Sequence, residues 1–81
     1  MEEKKVRLQL EVSERRQAEL QALMEACDIG KQKDLFNAAL TLLEWAVAER
    51  RKGRIIASID EASMKYKELA MPALSAVHVS A

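Results

Sequence analysis

Residues Val6 to Val12 read V-R-L-Q-L-E-V, and this stretch limits the chain more than any other. Val6, Leu8, Leu10 and Val12 alternate with Arg7, Gln9 and Glu11, the period-two pattern of a strand with one buried face. A strand alone leaves a row of backbone donors and acceptors unpaired. The residues that follow carry helical spacing and offer no second strand nearby, so the partner is either another copy of the chain or a segment close to the C-terminus.

Ser13 follows the strand as a good N-cap, and Glu14 places a negative charge at the positive end of a helix dipole. The reciprocal capping box is incomplete, because Arg16 stands where Glu or Gln would close it. Leu20, Leu23, Met24 and Cys27 then recur at spacings of three and four, which predicts a one-faced helix of about four turns. Asp28, Ile29 and Gly30 interrupt the pattern, with Gly30 expected to carry the turn.

A second helix is expected from about Gln32 to Lys52. It holds Leu35, Phe36, Ala39, Leu40, Leu43, Trp45 and Val47 among other apolar residues, more than one stripe accommodates. One short helix and one strand cannot cover it, so the same helix from a second subunit is the expected cover. Arg50, Arg51, Lys52 and Gly53 mark its end, with cations at the negative dipole end and glycine in the cap position. Beyond it, Arg54 to Ile59 predicts a short strand, Glu61 to Ala70 has weak helical character, and Ala73 to Ala81 is expected to be frayed or partner-dependent.

With 81 residues the chain makes one small domain, marginal if it must stand alone. Apolar residues are 49% and charged residues 32%, a balance typical of a helix-rich globular protein and not of a disordered one. Thirteen basic residues offset thirteen acidic ones, so binding of nucleic acid would depend on local basic patches, not bulk charge. The single cysteine, Cys27, excludes an internal disulfide and fits a reducing compartment. M-E-E-K-K is not a signal-peptide start and no apolar run reaches membrane-spanning length, so a cytoplasmic location without membrane contact is expected.

Catalysis has little to work with. His78 is the only histidine, there is no glycine-rich phosphate loop, and no zinc-ligand spacing occurs, so neither an enzyme nor a cofactor is expected. Cys27 reads as a small buried hydrophobe, and Trp45 as a core or dimer contact. The polar side of the strand is more informative: a two-stranded ribbon fits the major groove of DNA, where Arg pairs with guanine, Gln with adenine, and Glu accepts from cytosine.

From Lys5 to Arg51 the order and spacing of these features resemble the ribbon-helix-helix family of bacterial transcriptional repressors, the Arc, MetJ and CopG type. The resemblance rests on V-R-L-Q-L-E-V followed by Ser13 and Glu14, the one-faced helix, the turn I-G-K-Q-K, and a second helix opening D-L-F-N-A-A-L. It implies a mainly α, β-α-α fold in which an intertwined homodimer forms a two-stranded antiparallel intermolecular ribbon. Arg7, Gln9 and Glu11 would read bases, Glu11 standing where the family more often carries a neutral or basic residue. Gly30, Lys31, Gln32 and Lys33 would hold the DNA backbone, with Lys4 and Lys5 of the arm adding charge. The dimer core would comprise Val6, Leu8, Leu10, Val12, Leu35, Phe36, Ala39, Leu40, Leu43 and Val47.

The expected organisation is therefore an N-terminal arm over 1–5, a DNA-binding domain over 6–53 and a C-terminal extension over 54–81. The expected function is repression through double-stranded DNA, by a homodimer that could assemble further on its site. Two alternatives are open: an antitoxin-type autorepressor whose segment from Arg54 to Ala81 folds on a toxin, or a dimeric adaptor that does not bind DNA. In the adaptor, Arg54 to Ile59 would pair with Val6 to Val12 inside one chain.

Overall fold

Ser13 opens the first helix, α1 (Glu14–Ala26), as its type predicts: extended backbone places its hydroxyl to accept from the Arg16 amide at 3.0 Å. The helix stops just as locally. Asp28 adopts a left-handed conformation (φ 56°), the Asp28 amide donates to the Glu25 carbonyl at 3.2 Å, and the Ile29 amide donates to the Met24 carbonyl at 2.8 Å. This is the Schellman arrangement, which turns the chain and satisfies two carbonyls that would otherwise lack partners. The expected turn residue was Gly30; Asp28 carries the left-handed backbone instead, a role its short polar side chain tolerates.

The computed structural model describes residues 3–80. They divide into two units, Met1–Leu35 and Phe36–Ala81. In the first, Met24 and Leu35 are buried, whereas Leu20 is half-buried and Leu23 and Cys27 are exposed. Cys27 is thus exposed and not the buried hydrophobe expected.

The second helix, α2 (Gln32–Arg51), closes with the same motif as α1. Gly53 (φ 81°) donates its amide to the Arg50 carbonyl at 2.9 Å, and the Arg54 amide donates to the Glu49 carbonyl at 3.1 Å. Glycine suits this position because a Cβ disfavours left-handed backbone.

Beyond α2 the chain forms an antiparallel hairpin of β1 (Ala57–Asp60) and β2 (Lys65–Glu68), with Ile59 opposite Tyr66 and Asp60 opposite Lys65. Leu69 donates to the Ile56 carbonyl at 2.7 Å and extends the pairing by one step. The four-residue connection is held by Asp60, whose carboxylate accepts from the Ala62 amide at 3.1 Å, and Met64 leaves it in the left-handed region (φ 59°). These contacts, with two more from Ser63, hold the Asp60 carboxyl below its ordinary pKa, hydrogen bonding by the Ser63 side chain being the largest cause. A single-turn helix, α3 (Pro72–Ser75), follows, with Leu74 buried as Ala46 of α2 is. The Ser80 amide donates to the Arg51 carbonyl at 2.7 Å, tying the tail to the end of α2.

Four expectations change. The β-α-α order is not formed within one chain: the helices come first and the only paired strands, among the described residues, follow them. Val6–Val12 lacks a ladder partner, and a strand without one is not a strand. The weak helix expected between Glu61 and Ala70 is instead a turn and β2, and the tail expected to fray is largely hydrogen-bonded. Finally, β1 pairs with β2 and not with Val6–Val12, which removes the intrachain sheet of the adaptor alternative.

Candidate nucleic-acid interface

Residues 3–12 run without helix or strand up to the Ser13 cap, and among the described residues none of their backbone groups makes a hydrogen bond. The alternation persists without a cover for its apolar side: Val6 is 80% exposed, Leu8 72% and Leu10 78%. Val12, nearest the helix, is also exposed. Arg7, Gln9 and Glu11 are exposed, as are Lys4 and Lys5 just ahead of them. Burying three such aliphatic side chains would contribute roughly 1.5 to 3 kcal/mol each.

Lys31 precedes α2 and its carbonyl accepts from the amides of Asp34 at 3.1 Å and Leu35 at 3.2 Å. The amides of Gln32 and Lys33, first in the helix, have no intrahelical acceptor, as helix geometry requires. Gly30, Lys31, Gln32 and Lys33 are all exposed. Free amides, the positive end of a twenty-residue helix and two ammonium groups together suit an anion. Asp34 lies in the same turn and opposes that field. Gly30 has room for a Cβ, with nothing within 4 Å, and its backbone is not left-handed.

All the residues expected to touch DNA fall within the first unit, Met1–Leu35. The expected dimer core is divided. Leu35 is buried within its own chain and Leu43 and Val47 are half-buried, whereas Phe36, Ala39 and Leu40 are exposed. Phe36, Leu40, Leu43 and Val47 recur at four, three and four along α2 and therefore share one face. That face, only partly covered at Leu43 and Val47, and the uncovered Val6–Val12 segment are the two apolar surfaces that the sequence singled out.

A third such surface was not foreseen. Trp45, Ile55, Ile59, Met64 and Tyr66 line a groove between α2 and the hairpin, inside the second unit. The available signal was Ile59 and Tyr66 flanking a turn that begins with Asp60, but without glycine or asparagine the turn was not apparent. The basic cluster at the end of α2 is partly engaged: Arg54 pairs with Glu49, and Arg50 donates to the Arg54 carbonyl at 3.2 Å.

Among the described residues, no group of three or more His, Cys, Asp or Glu could hold a metal ion, and no helix is long and apolar enough to cross a membrane. No family model matches the chain, and no curated protein or solved structure matches it either.

Proposed function

We propose that the chain is a sequence-specific DNA-binding repressor of the ribbon-helix-helix kind, acting as a cytoplasmic homodimer. Two copies align Val6–Val12 antiparallel, which pairs the free backbone groups and turns Val6, Leu8, Leu10 and Val12 of both toward the helices. Arg7, Gln9 and Glu11 of each strand then face outward into the major groove. The Phe36, Leu40, Leu43 and Val47 face of α2 supplies the rest of the dimer contact. Lys31 and Lys33, with the amides of Gln32 and Lys33, hold a backbone phosphate at each flank and set the register of the ribbon.

The reading is carried by one observation: an alternating segment with no hydrogen-bonded partner leads directly into a capped helix. The net charge of zero implies that affinity depends on these few local cations, including Lys4 and Lys5. Fluorescence anisotropy tests it, using a duplex from just upstream of the gene beside an unrelated duplex, at two salt concentrations. Tighter binding to the upstream duplex, weakened by salt and lost in Arg7→Ala, is the expected result. Equal or absent binding to both duplexes at low salt would refute the reading.

A further inference from the structure

The groove of Trp45, Ile55, Ile59, Met64 and Tyr66 is independent of the ribbon and of the α2 face assigned above to the dimer. We infer that it is a self-association surface, which packs against the same surface of a second copy about a two-fold axis. Its five large side chains range from 48% exposed at Ile55 to 87% at Met64. At roughly 150 to 250 Å² for an aromatic side chain and less for Ile or Met, they present on the order of 500 Å² of surface in all, enough to form the apolar centre of an interface that takes about 800 Å² from each partner. A surface of that size is not left in water without a reason.

The charges bordering the groove favour a second copy over a foreign partner. Glu61 and Lys65 both border it, and a two-fold axis brings Glu61 of one copy toward Lys65 of the other. A self-complementary rim of this kind is what a like-with-like contact needs. The hairpin edge is a poorer route, because β2 carries Lys65 and Lys67, and edge lysines oppose the addition of another strand. Contact through the face leaves both edges solvated. Met64 is the most exposed of the five and, with its flexible thioether, the side chain best able to fill the opposite groove.

Sedimentation equilibrium on the full chain provides the test, with Met64→Lys and Tyr66→Lys as surface variants and Leu10→Lys as a ribbon variant. If both contacts form, the wild type is larger than two chains, each variant class alone reduces it to two, and Met64→Lys combined with Leu10→Lys gives a single chain. If the groove pairs and the ribbon does not, the wild type has two chains, Met64→Lys has one and Leu10→Lys is unchanged, so the two readings fail separately. Trp45, the only tryptophan, gives a readout on the unaltered protein: its emission should shift to the red as dilution lowers the mass. A mass unaffected by both Met64→Lys and Tyr66→Lys, or a constant emission while the mass of the Leu10→Lys variant falls on dilution, would overturn the proposal.

Discussion

Arg54 donates through Nη1 to the Glu49 carboxylate at 2.8 Å, bridging the two positions that the Schellman turn at the end of α2 already joins through their backbones. In most such turns an apolar contact links these positions; here an ion pair takes its place. Glu49 is largely shielded and Arg54 largely exposed, so solvent screens the pair from one side. Arg54→Ala should therefore cost no more than about 1 kcal/mol in urea unfolding, with the difference shrinking at high salt.

The two turn residues of the interhelical connection should respond in opposite senses to expectation from residue type. Asp28 holds the left-handed conformation, so Asp28→Gly should raise stability, by up to about 1 kcal/mol. Gly30 is not left-handed and has open space around it, so Gly30→Ala should be neutral or stabilising by about 0.4 to 1 kcal/mol. Thermal melts of both variants at one protein concentration would decide the matter.

The hairpin should weaken in acid. Hydrogen bonds from Ser63 and Ala62 lower the Asp60 pKa in the folded chain, so the ionised form favours folding. That contribution is fully present above the ordinary carboxylate range and disappears as pH falls through the lowered value. Protection of the Ser58 and Lys67 amides, taken relative to the intrinsic exchange rate at each pH, should fall over that interval, and Asp60→Ala should remove the pH dependence.

On DNA, Arg7→Ala should cost roughly 1 to 3 kcal/mol at the specific site, with little loss on unrelated duplexes. Lys33→Ala should weaken both alike and lower the salt dependence by about one phosphate contact. Neither side chain is buried, so the melting temperature should be unchanged in both variants.

Leu10→Ala separates the ribbon from a lone extended arm. Leu10 is exposed in the single chain, so truncation there should leave a monomer's stability within about 0.5 kcal/mol. In a paired ribbon the same change empties a core position in each copy and should cost at least about 2 kcal/mol per chain. Unfolding followed across a range of protein concentrations distinguishes the two results.

What could be read from the sequence follows the range of the interactions involved. The Ser13 cap and the Gly53 stop are each decided within six residues, and both appear where residue type places them. Asp28 in place of Gly30 is a near miss of the same local kind, since both residues tolerate turns. The hairpin was half legible: R-I-I-A-S-I gave β1, whereas K-Y-K-E has one apolar residue in four and no visible alternation. The Val6–Val12 alternation is clear in the sequence, but among the described residues it has no hydrogen-bonded partner. The groove needs three separate segments brought together, which no local pattern reports.

The left-handed stops after α1 and α2 have a consequence for assembly. Each helix end is completed by its own neighbours, at Asp28 and at Gly53, so the lengths of both helices are decided before any second molecule arrives. A single chain therefore has both helix ends complete, while residues 3–12 make no backbone hydrogen bond. Under the proposed pairing, joining two chains would mainly demand ordering residues 3–12, and conditions that split such a dimer need not melt its helices.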